Sequence, residues 1–121
     1  MINVIFGAFT YSVALLGCYD GDTCRFDFTT LHPLLGIQSV RISGVDTPEI
    51  RGRCVHEREL ATLARDHTLS YLQDNPVVYT SGRRGKYGRL LVMVPGLADS
   101  LVDRGLGRYY NGGKRKGWCD D

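Results

Sequence analysis

Three short stations along this chain carry side chains able to do chemistry together. They are Asp20-Gly21-Asp22-Thr23, then Val45-Asp46-Thr47-Pro48-Glu49 with Arg41 just ahead of it, then Lys86-Tyr87-Gly88-Arg89. Carboxylate and carbonyl oxygens suit a hard divalent cation. Guanidinium groups stay charged and donate in a planar fork, which suits a phosphate gaining charge in a transition state. Brought to one site, such groups point towards metal-assisted cleavage of a phosphodiester. Each has a plainer reading beside it. An aspartate in the first station could satisfy its own turn, a role that falls to Asp20, which opens it. Asp46 or Thr47 could cap a helix, and Arg41 or Glu49 could be solvated surface groups.

The elements that must position these stations follow from periodicity. Tyr11 to Cys18 predicts a strand, Asp20-Gly21-Asp22 a turn, and Thr23 to Phe28 the returning strand. Residues 29–37, with Pro33 and Gly36, form a loop before a third strand from Ser39 to Val45. Pro48 then forbids further ladder pairing, so the chain leaves the sheet at Asp46–Glu49. Strict alternation places Arg41 and Asp46 on opposite faces of that strand. A bend is required between them, and Gly44 is the natural place. Residues 55–73 have apolar groups at Leu60, Leu63, Ala64, Tyr71 and Leu72, a helical spacing ended by Asn75-Pro76. Val77–Thr80 and Leu90–Val94 are strands, and Leu97–Arg104 is a short helix with Gly105 after it. Three strands, a helix, two strands and a helix outline an α+β, mainly β fold: a five-stranded OB-type barrel forming one domain over residues 1–121.

Composition narrows the class without choosing it. A chain of 121 residues, 43% hydrophobic and 23% charged, fits one globular domain, and the net charge of +2 does not announce a nucleic-acid binder. The charge is segregated, however. Arg83, Arg84, Lys86 and Arg89 form one basic stretch and Lys114, Arg115 and Lys116 another, while acids gather at 20–27, 46–49 and 57–59. A site holding both a cation and a polyanion needs such segregation; a solvated surface also produces it. No stretch reaches transmembrane length, so no membrane partner is expected. The apolar start lacks a basic leader region. Leu15-Leu16-Gly17-Cys18 has the form of a lipoprotein cleavage site, but cleavage there would remove the strand leading into Asp20.

Four cysteines permit two disulfides. Cys54 and Cys119 lie in polar, glycine-rich contexts where a staple is useful, and their pairing is expected. Cys18 and Cys24 lie in apolar alternations and read equally as buried thiols. His32, His56 and His67 are scattered, and nothing in their spacing suggests zinc.

Taken in order and at compatible spacing over about Tyr11 to Gly107, these motifs resemble the staphylococcal nuclease-like family, and Arg51-Gly52-Arg53-Cys54 with Gly117-Trp118-Cys119 resembles its bacterial cysteine-bearing branch. The resemblance implies one calcium ion held by Asp22, Asp46 and the Thr47 carbonyl. It implies that Glu49 deprotonates or orients the attacking water or supports the metal, and that Arg41 and Arg89 contact the scissile phosphate. Lys86 and Tyr87 match a nucleotide-binding pair, and Tyr109 or Tyr110 occupies the region of a further tyrosine, with packing as the alternative. The implied activity is hydrolysis of the P–O5′ bond of DNA and RNA, single- or double-stranded with preference for unpaired regions, leaving a 3′-phosphate and a 5′-hydroxyl. An exported monomer is expected. The family's long third helix is expected to be missing, with the Cys54–Cys119 link in its place. Two rivals remain: a catalytically silent nucleic-acid-binding barrel, and a disulfide-stapled interaction domain.

Overall fold

Gly7, at φ +61°, turns the N-terminal strand β1 (Ile2–Phe6) back as the long strand β2 (Phe9–Asp20), with Phe6 paired to Phe9. The computed structural model describes residues 1–119. After the Gly21-Asp22 turn come β3 (Thr23–Asp27), β4 (Ile37–Ile42) and the two-residue β5 (Val45–Asp46). Then follow α1 (Val55–Asp74), β6 (Val77–Thr80), β7 (Leu90–Val92), α2 (Leu97–Asp103) and β8 (Arg108–Tyr109).

The main sheet has six strands in the order β6-β1-β2-β3-β4-β7, not five. The additional strand is β1, inserted antiparallel to β2 and parallel to β6. Its residues alternate only over Ile2, Asn3 and Val4 before the consecutive apolar Ile5 and Phe6, too short a pattern to declare a strand. Tyr79 and Met93 exchange backbone hydrogen bonds of 2.9 and 2.8 Å, so the two edge strands meet and the sheet nearly closes into a barrel. The fold is α+β and mainly β, with α1 and α2 the helices among the described residues. No helix of the described residues is long and apolar enough to cross a membrane.

Alternate residues of the strands fill the barrel: Ile2, Val4, Val13, Phe26, Val40, Ile42, Val78 and Val92 are all buried, with Leu72, Leu97 and Leu101 of the helices against them. Each such side chain contributes roughly 1.5–3 kcal/mol by leaving water. Helix α1 buries Ala61, Ala64, Thr68 and Leu72, while Leu63 is 56% exposed and faces solvent. The small residues on that stripe let the helix approach the β2–β3 turn closely. A Cβ on Gly21 would lie 2.9 Å from Ala64 Cβ and 2.8 Å from Thr47 Cγ2, and Thr68 Oγ1 donates to the Gly21 carbonyl at 2.7 Å. The turn carrying Asp20 and Asp22 is therefore clamped from behind.

Both disulfides are formed: Cys54–Cys119, as expected, and Cys18–Cys24, directly opposite one another across β2 and β3. The sequence leaves the pairing of Cys18 and Cys24 open, and the register of the hairpin decides it by bringing the two side chains together.

Candidate functional site

The predicted bend is present. Strand β4 ends at Ile42, Ser43 and Gly44 turn the chain with Gly44 at φ +88°, and β5 resumes at Val45. Arg41 is fixed across this turn, its Nη1 donating to the carbonyls of Ile42 and Val45. The same nitrogen lies 3.5 Å from Asp22 Oδ2. The turn thus returns Arg41 and Asp46 to one end of the barrel, despite their opposite parity in sequence.

Asp22 is the meeting point. Its Oδ2 accepts from the Thr47 N–H at 3.1 Å, and its Oδ1 accepts from Thr23 Oγ1 at 3.0 Å. Arg89 Nη1 in turn donates to Thr23 Oγ1 at 2.9 Å. The three sequence stations are therefore joined by contacts running from Arg89 through Thr23 and Asp22 to Thr47. Thr47 caps no helix, because α1 begins later, with Cys54 at its N-cap. Asp20 has its turn role, accepting the Asp22 N–H at 3.2 Å, but it is also buried with the other acids. Burial, then the neighbouring Asp22 charge, pushes the Asp20 carboxyl up to about 8.

Asp46 is only 2% exposed, and burial raises its pKa despite the offsetting charge of Arg115. Arg115 is the residue that periodicity and motif both overlook. Its Nη2 lies 2.7 Å from Asp46 Oδ1 and 2.6 Å from Glu49 Oε1, bridging the two acids of the second station. Burial works against the Arg115 charge, but the hydrogen bonds to Glu49 and Asp46 outweigh it and raise its pKa further. Glu57 is a second unanticipated member. Buried in the first turn of α1, it accepts the Glu49 N–H at 3.1 Å and the Arg53 N–H at 3.1 Å. A glutamate three residues after an N-cap can fold back onto preceding amides, and here it moors the Glu49 segment. Gly52 is required beside it, since a Cβ there would stand 2.5 Å from the Glu57 side chain.

Lys86 and Tyr87 form an exposed arm beside Arg89. The Lys86 ammonium and the Arg89 guanidinium lie 5.7 and 5.9 Å from the Tyr87 ring centre, and Tyr87 is 76% exposed. Tyr109 and Tyr110 sit elsewhere, beside β5. Tyr109 pairs with Val45 and its hydroxyl donates to Asp99 of α2, while the Tyr110 hydroxyl donates to the Gly113 carbonyl. Tyr109 is nonetheless 63% exposed, and both tyrosines line a small cavity with Asp46 and Arg115.

A hard cation fits the acid cluster. Asp22 and Asp46 present buried carboxylates, Thr47 Oγ1 is buried without a hydrogen-bond partner, and the Arg115 guanidinium stands beside Asp46 Oδ1. Among the described residues no hydrogen bond ends on the Thr47 carbonyl. Cys54, Glu57 and Cys119 also bring ligand-type atoms within 4.8 Å of one another. With the two sulfurs bonded to each other, that group offers no thiolate for a soft metal. Neither a protein-family model nor a curated protein matches this chain.

Proposed function

We propose that this protein is a calcium-dependent nuclease of the staphylococcal nuclease-like family, built on an OB-type barrel. It hydrolyses the P–O5′ bond of DNA and RNA. The observation that carries the reading is the linkage of Asp22 to Thr47 on one side and, through Thr23, to Arg89 on the other. Two buried carboxylates and two arginines of separate stations share one end of the barrel, in the charge pattern a cation and a phosphate require together.

Asp22, Asp46 and the Thr47 carbonyl would hold the calcium ion, which supplies positive charge to a phosphate oxygen when bound. Arg41 is held rigidly by two carbonyls and offers its remaining donors to the phosphate. Arg89, anchored on Thr23, does the same from the other wall. Glu49 orients a water and takes its proton as the water oxygen attacks phosphorus. The P–O5′ bond breaks, the 5′-oxygen takes up a proton from solvent as the 5′-hydroxyl, and the phosphate remains on the 3′ side. Lys86 and Tyr87 bind the neighbouring nucleotide by charge and by ring stacking, which favours unpaired strands. Two disulfides suit an oxidising, exported setting.

One observation favours a second reading, a silent nucleic-acid-binding barrel: Arg115 already neutralises Asp46 and Glu49, as a cation-free site would need. Heat-denatured DNA incubated with the purified protein in calcium or in chelator separates the two. Calcium-dependent products with 3′-phosphate ends support the nuclease. Binding without cleavage in calcium leaves the silent module.

A further inference from the structure

Beyond Glu49 lies a cleft of about 560 Å³ whose walls are the 49–53 segment and the 114–119 strap. We propose that this cleft is a second polyanion subsite, taking the phosphodiester backbone of a single strand beside the acid cluster on walls that do not include Lys86 or Tyr87. The proposal rests on the nuclease reading and extends its substrate contact to a longer strand.

The cleft is lined by five cationic residues, Arg51, Arg53, Lys114, Arg115 and Lys116, against the acids Glu49 and Glu57. The acids are already answered. Glu57 spends both oxygens on the amides of Glu49 and Arg53, and Glu49 is paired with Arg115. Among the described residues the side chains of Arg51, Arg53, Lys114 and Lys116 make no ion pair or hydrogen bond, so within that set four positive charges face the cleft without a paired acid. Four like charges around one concavity repel one another, and a polyanion relieves that repulsion while releasing its own counterions.

The strap that carries two of them is built rather than loose. Cys119 ties it to Cys54 at the head of α1, and Arg108 Nη1 donates to the carbonyls of Lys116 and Gly117 at 3.1 and 2.8 Å. The Arg108 guanidinium also lies 3.8 Å from the centre of the Trp118 ring, which lines the cleft. Nucleic acid is favoured over other polyanions by continuity. Arg115 and Glu49 belong to the cleft and to the acid cluster at once, so a strand gripped at Lys86–Tyr87 and crossing Asp22 and Asp46 runs next into this cationic channel.

Trp118 is the only tryptophan in the chain and reports on the cleft directly. The test titrates the whole protein with a thymidylate dodecamer in chelator, following Trp118 fluorescence and, separately, anisotropy of labelled dodecamer. Wild type is compared with Arg51→Gln/Arg53→Gln/Lys114→Gln/Lys116→Gln, whose changes are all at exposed side chains; its thermal unfolding confirms folding. Both signals should saturate together in wild type. In the variant dodecamer affinity should fall at least roughly tenfold, with the salt slope reduced by about 3 at roughly 0.7 per lost phosphate contact. Cleavage of a trinucleotide in calcium should be unchanged. Equal dodecamer affinity in the two proteins overturns the subsite while calcium-dependent cleavage keeps the nuclease reading intact. A Trp118 response to inorganic polyphosphate in a protein that neither binds nor cleaves the dodecamer overturns both.

Discussion

The Thr47 N–H donates to Asp22 Oδ2 across 25 residues of sequence, at 3.1 Å and fully inside the protein. This one bond fixes the β2–β3 turn to the end of β5, and with it the separation of the two carboxylates proposed to share a cation. Asp22→Ala removes both the ligand and the tie, and Asp46→Ala removes the ligand and its ion pair with Arg115. Each should abolish calcium-dependent cleavage of denatured DNA and calcium binding by calorimetry. Asp22→Asn, which keeps an acceptor for Thr47, should fold like wild type yet bind calcium poorly. Cleavage that persists in chelator from a contaminant-free preparation removes the metal assignment.

Glu49, Arg89 and Lys86 should separate kinetically. Loss of a general base typically costs ~10²–10⁴-fold, so Glu49→Gln should lower single-turnover cleavage by about that factor with DNA binding nearly intact. Arg89→Ala should also slow turnover, because only contacts that strengthen in the transition state raise the rate. Lys86→Ala should chiefly weaken binding and its salt dependence. Full activity in Glu49→Gln would take the catalytic role from that residue.

Arg115→Ala should raise calcium affinity several-fold, since the arginine contacts Asp46 and Glu49 and competes with any cation there. The same change should destabilise the metal-free protein. Stripping one partner from a buried pair costs about 3–5 kcal/mol, but the Arg115 side chain is 45% exposed and solvent screens it, so about 1–2 kcal/mol is expected. Calorimetric titration and urea unfolding in chelator measure the two effects. Unchanged calcium affinity would show that Arg115 does not guard the site.

Burial of Asp20 predicts a pH effect on stability. The unfolded chain releases this proton near 3.8, whereas the folded protein keeps it to about 8. Between those values the folded state binds more protons, so this group's stabilising contribution is complete below about pH 4 and is lost as pH rises towards about 8. In chelator Asp20→Asn should therefore gain stability over wild type as pH rises through that window, with no gain at its acid end. Denaturant unfolding at several pH values checks this. A difference between the two proteins that does not change with pH would refute it.

The two disulfides should differ in weight. They close sequence separations of 65 and 6 residues. Loop-closure entropy then assigns about 4 kcal/mol to Cys54–Cys119 and about 2 kcal/mol to Cys18–Cys24, before any strain. Unfolding of Cys54→Ser/Cys119→Ser beside Cys18→Ser/Cys24→Ser measures the order. Peptide mapping without reduction should find neither pair as free thiols.

The legible parts of the sequence were those with a period or a breaker. Helix α1, its stop at Asn75-Pro76, the β2–β3 turn and the bend at Gly44 all follow from local chemistry. Arg115 was visible only as one member of a basic run, because its partners Asp46 and Glu49 lie 69 and 66 residues away in the chain. Glu57 was hidden among surface acids, although its place three residues after Cys54 is the spacing of a reciprocal helix cap. Strand β1 was obscured because its alternation is short, and its partners β2 and β6 declare it only in the folded sheet. Such ambiguities are resolved by long-range contact, which single-chain periodicity does not carry.

The parallel pairing of β1 with β6 and of β4 with β7 has a consequence for the order in which the protein can be made. β1 and β4 emerge from the ribosome early, and each waits for a partner from the far side of α1. Until residues 77–92 are available, the β1–β4 meander carries two bare edges with exposed Phe6, Phe9 and Ile37 along it. Bare, apolar edges recruit other chains. A translation product stopping before Leu90 should accordingly be insoluble rather than merely inactive, and a slow passage through α1 should favour aggregation over folding.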